Sequence, residues 1–255
     1  MRYAIYYTPA PGSPLAAFGD AWLTLGGDQR DAQSHGRFGL PAALHAKAIA
    51  TPIKYGLHAT LKAPFRLATN ANETSVMTAC AQLAARLHAF EIGPLHLTRL
   101  GACWGLTPPA PDPRLSRLEA ACVEELEPLR APLSVADIAR RNPAALSERQ
   151  RALLNDVGYP YALDEFRFHM TLSSRLDDGE AREVEQALRR ALSGIVAPNV
   201  TDSVGAGNPH AGSDGPQATM RDALPLVIDA ISLVADHEDG KPFQLVERFA
   251  LGHSH

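Results

Sequence analysis

Two short stretches, His58-Ala59-Thr60-Leu61 and His169-Met170-Thr171-Leu172, repeat an imidazole, a hydroxyl and a leucine at identical spacing. Side chains alternate across a strand, so His58 and Thr60 would share one face and His169 and Thr171 another. The alternation runs on: Lys62 continues the polar face of the first stretch, and Arg167, Ser173 and Arg175 that of the second. Hydroxyls and imidazolium donate hydrogen bonds, while Lys and Arg neutralise charge, so the set suits a phosphate or phosphodiester. It suits a divalent cation poorly: these strand faces bring no carboxylate for magnesium and too few convergent ligands for zinc.

Random placement of ten histidines would give roughly 0.06 H-x-T-L matches, so two identify a shared role rather than an accident. His96-Leu97-Thr98-Arg99 is an internal control: a third H-x-T without the leucine, read as structural. Tyr7, Tyr55 and Trp104 are candidates to stack on a sugar or base, weighed against the commoner fate of a strand aromatic, which is core.

Positioning these residues requires strands. Arg2 to Tyr7 reads as a first strand, Lys54 to Phe65 as a second and Phe166 to Ser174 as a third; Leu95 to Leu100 with Ala102 to Thr107 reads as a hairpin about Gly101. Leu226 to Ala235 and Phe243 to Leu251 form another hairpin. Helices are expected around Leu15 to Leu25, Pro41 to Ile49, after an Asn72 cap, around Arg114 to Leu126, Ser147 to Val157 and Glu180 to Leu192. The order strand with H-x-T-L, helix, hairpin occurs twice, which implies two lobes about a pseudo-twofold axis with a cleft between them. Residues 197–221, rich in Gly and Pro, read as a mobile loop, and Gly252 to His255 as a frayed tail.

The bulk properties bound the partners. The chain has 255 residues, 45% hydrophobic and 20% charged, with a formal charge of −4. That is the balance of a globular protein in one two-lobed domain over 1–255, and it disfavours a surface that wraps nucleic acid or lies on an anionic membrane. Three cysteines with no C-x-x-C spacing favour a reducing compartment, and the start carries no leader pattern, so a cytoplasmic location is expected, with no membrane and no obligate protein partner. No G-x-S-x-G, phosphate-binding Gly-rich loop or H-E-x-x-H occurs.

The paired H-x-T-L stretches, about a hundred residues apart, resemble the 2H phosphoesterase superfamily, which includes 2′,3′-cyclic phosphodiesterases and the LigT proteins. Tyr55-Gly56-Leu57-His58-Ala59-Thr60-Leu61-Lys62-Ala63-Pro64-Phe65-Arg66, Phe166 to Leu172 and Gly240-Lys241-Pro242-Phe243 before Glu247-Arg248-Phe249 are similar to its DUF1045 branch, associated with phosphonate metabolism. The resemblance implies an α+β fold of antiparallel sheets with flanking helices around a central cleft, and a mechanism that uses no metal or cofactor. It implies His58 and His169 as the catalytic pair, one base and one acid, which suits imidazoles that titrate near neutrality. Thr60, Thr171, Lys62 and Arg175 would hold the phosphate. Which histidine is base stays open, because paired groups titrate together. The implied substrate is a small phosphorylated or cyclic-phosphate compound carrying ribose, with RNA ends a further candidate. A non-catalytic module that binds phosphate ligands or RNA ends in the same cleft is the alternative; it would have no need of a base.

Overall fold

The computed structural model describes residues 1–25, 38–196 and 225–252. The expected loop at 197–221 and His253 to His255 of the expected tail lie outside the described residues; Gly252, read as the start of that tail, is instead held in place, donating from N to Leu87 O and accepting at O from Ala89 N, both at 2.8 Å. In chain order the elements are β1 (Arg2–Tyr7), α1 (Pro14–Trp22), α2 (Ala42–Ile49), a 3-10 turn at Pro52–Lys54, β2 (Ala59–Phe65), α3 (Glu73–Arg86), β3 (Phe90–Ile92), β4 (His96–Leu100) and β5 (Cys103–Thr107). There follow α4 (Pro113–Glu125), α5 (Val135–Arg140), α6 (Glu148–Val157), β6 (Met170–Thr171), α7 (Asp178–Ala191), β7 (Leu226–Ile228), β8 (Ala230–Asp236) and β9 (Gln244–Ala250).

The fold is α+β. One antiparallel sheet has the order β2-β1-β8-β9, a second β4-β5-β6, and β3 pairs with β7. The two halves interlock: the hairpin β8-β9 from the end of the chain completes the sheet that carries the first motif, and β4-β5 from the first half completes the sheet that carries the second. Each motif-bearing strand is consequently an edge strand, and β2 and β6 lie against each other without pairing. An edge strand keeps one flank free of ladder partners, which leaves room for a ligand between the sheets.

Alternation settles which side chains enter the core. Tyr3, Ile5 and Tyr7 of β1 join the main core with Leu61 and Phe65, whereas Ala4 and Tyr6 form a small separate cluster with Val234 on the opposite face. Strand register puts Thr60, Tyr6, Ser232 and Arg248 opposite one another in a row across four strands. Helices α3, α6 and α7 are begun by reciprocal side-chain boxes, Asn72 with Ser75, Ser147 with Gln150 and Asp177 with Glu180. Helix α7 buries Ala181, Val184, Ala187 and Leu188 and packs on β5 and α2. Among the described residues the cysteines are free thiols, and no helix is long and apolar enough to cross a membrane.

Three expectations about elements need correction. The strand expected from Phe166 to Ser174 pairs regularly only at Met170–Thr171, because the amides of Leu172 and Ser173 both converge on the Trp104 carbonyl, at 2.8 and 3.1 Å. Its register is fixed by other bonds: Trp22 Nε1 donates to Leu172 O at 2.8 Å and Ser173 Oγ accepts from Trp104 N at 2.8 Å. The strand expected from Lys54 begins at Ala59, since Pro52 starts a 3-10 turn and Gly56 adopts a left-handed φ of 71°. Helix α5 and strand β3 have no counterpart among the expected elements, being too short to show a period.

Candidate functional site

His58 and His169 each stand one residue before a motif strand, not within it. Their surroundings match. His58 Nδ1 lies 2.9 Å from the carbonyl of Gly56, and His169 Nδ1 lies 2.8 Å from the carbonyl of Arg167, in each case two residues upstream. A carbonyl only accepts, so Nδ1 carries the proton in both rings and, in the neutral form, Nε2 is left with its lone pair. Gly56 makes the first of these bonds reachable, since its left-handed conformation turns the chain sharply and strains any residue with a Cβ.

His58 is half-buried against aromatic rings. Tyr6 stacks on it with centroids 4.0 Å apart and 29° between planes, and Tyr55 lies 5.8 Å away; Phe243 closes the group at 6.1 Å from Tyr6 and 5.1 Å from Tyr55. Burial, reinforced by the nearby His169, pushes the His58 imidazole down to about 4, against the opposing pull of the Gly56 carbonyl. His58 is therefore neutral at physiological pH. His169 is exposed.

A cavity of about 160 Å³ opens beside His169, lined by Thr60 and Lys62 from β2, by Arg167 and His169, and by Tyr159 and Glu119; His58 and Thr171 are not among its lining residues. The strand faces bring no carboxylate, as expected, but α4 and the turn at Leu163–Glu165 bring Glu119 and Glu165 to the cavity wall. The Glu119 carboxylate takes the Leu163 amide on both oxygens at 3.2 Å, and burial raises it to about 7. Among the described residues no three His, Cys, Asp or Glu side chains are grouped to hold a metal ion.

Other candidates fall elsewhere. Lys62 lines the cavity, yet its side chain is 3% exposed and its ammonium donates to the Val123 carbonyl and to Glu127, both at 2.9 Å, so it serves the packing of α4 on β2. Arg175 lies exposed four residues past Thr171, near Cys103 at the β4–β5 turn. Tyr7 and Trp104 are core residues rather than stacking platforms: the Tyr7 hydroxyl bonds Val227 O at 3.1 Å, and Trp104 Nε1 bonds Ala181 O at 2.9 Å. Tyr55 alone of the three aromatics reaches the histidine. In the control motif, Thr98 spends its hydroxyl on Thr107 at 2.7 Å within the second sheet. Neither Tyr6 nor Phe243 stands out in the sequence as a site residue, because only strand register carries Tyr6 to His58 and only the β8–β9 turn carries Phe243 onto Tyr6 and Tyr55; Phe243 N donates to Lys54 O at 2.8 Å.

Fold and site together define a two-lobed α+β protein with one H-x-T pair on each of two adjacent sheet edges. The chain belongs to the family described as "Protein of unknown function (DUF1045)", which it matches over residues 60–206. It is 32% identical over 243 residues to "Ribose 1,5-bisphosphate phosphokinase PhnN" of Janthinobacterium sp. (strain Marseille), covering 95% of this chain and 49% of that protein. It is 35% identical over 183 residues to the protein of the same name from Laribacter hongkongensis (strain HLHK9), covering 70% of this chain and 41% of that one. The chain thus spans about half the length of the curated relatives it matches. Among solved structures, TT0787 of Thermus thermophilus is similar with a TM-score of 0.44 at 15% identity over the whole of both chains, and E. coli LigT complexed with 3′-AMP with a TM-score of 0.42 at 12% identity over 99% and 98%.

Proposed function

We propose that this chain is a phosphoesterase of the two-histidine type, opening a cyclic phosphodiester on a small ribose-containing substrate without a metal. The observation that carries this reading is the repeated bond from Nδ1 to the carbonyl two residues upstream at both His58 and His169. That bond fixes the tautomer and leaves two Nε2 atoms, on facing strand edges, as the proton-handling atoms.

Neutral His58 is the base. Its Nε2 takes a proton from water as the water oxygen forms a bond to phosphorus, the P–O bond to the ring oxygen breaks, and His169, carrying a proton on Nε2, gives it to that departing alkoxide. The product is a phosphomonoester, and solvent returns the two histidines to their starting states. Thr60 and Thr171 donate to the non-bridging oxygens as charge grows there. Two imidazoles suffice for this proton inventory.

The resemblance to the DUF1045 branch, and the name borne by the relatives from Janthinobacterium and Laribacter, favour a ribosyl cyclic phosphate in phosphonate metabolism over 2′,3′-cyclic nucleotides or RNA ends. The test is phosphorus NMR of ribosyl 1,2-cyclic phosphate and 2′,3′-cyclic nucleotides incubated with the protein in EDTA, alongside His58→Ala and His169→Ala. Ring opening by the unaltered protein and loss of it in both variants is the expected result. Turnover that survives either substitution, or that EDTA abolishes, would overturn the mechanism.

A further inference from the structure

A second cavity, about 310 Å³, has Tyr55 on its wall together with Arg2, Arg66, Arg140 and Arg141, and Asp137 is the one carboxylate that lines it. Three of these arginines have carboxylate partners. Arg2 pairs with Asp236 and lies 3.6 Å from Glu238; Arg66 bonds Asp137 at 3.2 Å and also Glu238; Arg140 bonds Asp137. Arg141 has no carboxylate partner among the described residues. Its guanidinium lies 5.0 Å over the ring of Tyr159, and Tyr159 lines the cavity that Thr60 and His169 share.

Four guanidinium groups face three carboxylates here, Asp137, Asp236 and Glu238, so the pocket carries surplus positive charge in a chain of net charge −4. Forked N–H groups match phosphoryl oxygens, and the cation–π contact with Tyr159 holds the Arg141 fork at this wall. The two cavities are neighbours along β2 and around the 157–159 turn, where Val157 and Tyr159 line one and Gly158 lines the other. A volume of roughly 300 Å³ holds a phosphoryl group with part of the sugar that bears it.

From this we infer that the Arg2, Arg66, Arg140 and Arg141 pocket is a second anion subsite, which takes a non-reacting phosphoryl group carried by the same small substrate whose cyclic phosphate meets the histidines. The inference rests on the phosphoesterase reading and narrows its substrate to doubly phosphorylated sugars or nucleosides. Arg141, free of carboxylates, is the residue that selects.

The test compares kcat/KM for cyclic phosphates with and without a distal phosphate, ribosyl 1,2-cyclic phosphate with its 5-phosphorylated form and 2′,3′-cyclic AMP with its 5′-phosphorylated form, in the unaltered protein, Arg141→Gln and Arg140→Gln. The distal phosphate is expected to raise kcat/KM about tenfold or more, the scale of a charge-assisted hydrogen bond, and Arg141→Gln is expected to bring that ratio towards one. A ratio near one in the unaltered protein, or one that neither substitution changes, would overturn the subsite. So would a preference for cyclic-phosphate-ended oligonucleotides over all mononucleotides. Binding of ribose 5-phosphate, followed by phosphorus NMR in the same proteins and in a His58→Ala/His169→Ala double variant, separates the two readings. Binding kept in the double variant and weakened about tenfold in Arg141→Gln supports the subsite even if no cyclic phosphate turns over. Equal binding in every variant refutes it.

Discussion

The imidazole of His58 lies stacked on the ring of Tyr6, with centroids 4.0 Å apart and Tyr6 itself 1% exposed. Tyr6 is opposite Thr60 across the β1–β2 ladder, so a single buried side chain backs both members of the first motif. An apolar backing removes water from one face of the ring and disfavours its cation.

His58 should accordingly titrate near pH 4 in the folded protein, against about 6.5 for a free imidazole. Because the folded pKa is depressed, the unfolded chain binds the extra proton first. Stability from this group is full above about pH 6.5 and declines as pH falls towards 4. A proton NMR titration of the His58 ring resonance gives the midpoint directly. A midpoint at about 6, the range of a free imidazole, would show that the Tyr6 backing does not shift the ring, and only a midpoint above about 8, which keeps the ring protonated at neutral pH, would remove the assignment of His58 as the base.

Alanine at either histidine should lower kcat by about 10²–10⁴, the range for a positioned acid or base, with the fold retained. Alanine at Thr60 or Thr171 should cost about 10²–10³, the scale of one lost donor to a developing oxyanion. Steady-state kinetics beside circular dichroism makes the comparison. A threonine variant with unchanged kcat would exclude that hydroxyl from the phosphate site.

Lys62→Met should act on stability. It removes one of the two cations on Glu127, which keeps its ion pair with Arg130, and unties β2 from the buried carbonyl of Val123. Because Glu127 stays paired with Arg130, the cost is that of the Val123 carbonyl left without its donor, about 1–3 kcal/mol. Urea denaturation reads this; a drop in kcat with unchanged stability would instead give Lys62 a role towards substrate.

Glu119 bears the opposite sign from an ordinary surface carboxylate. Its folded pKa, about 7, is raised, so stability from its protonated form is full below the unfolded value near 4.5 and is lost as pH rises through 7. Glu119→Gln should therefore stabilise the protein at about pH 8 relative to its effect at about pH 4, by chemical denaturation at the two values. An equal effect at both would show that the Glu119 carboxyl titrates alike in the folded and unfolded chain.

Gly56→Ala places a Cβ at φ 71°, a strain of about 1–2 kcal/mol, and disturbs the carbonyl that holds His58 Nδ1. Both stability and kcat should fall, the second also in a pH profile shifted by the altered imidazole. A variant that loses stability alone would uncouple the turn from the histidine.

The H-x-T-L repeat was readable because a strand's period is two and the pair of motifs is short and local. Helices α3, α4, α6 and α7 were legible for the same reason, being long enough to show an apolar stripe and a cap. Legibility ended where partners come from afar. Phe166 to His169 has the alternation of a strand, but β5 offers no regular ladder to it, so pairing shrinks to two residues. Lys62 sits on an alternating polar face, yet a register shift in β2 and the underside of α4 bury it.

By itself the sequence determined the two motifs, the chemistry open to an imidazole and hydroxyl pair, and the elements that display them, since each depends on neighbours within a few positions. The tertiary structure decided which motif strands become sheet edges, that Tyr6 with Tyr55 rather than Tyr7 and Trp104 attends His58, and that Glu119 and four arginines gather beside the cleft. Those outcomes depend on which distant strand supplies a hydrogen-bond partner and which helix covers a face. Burial and charge are set by such long-range packing, and no local spacing encodes it.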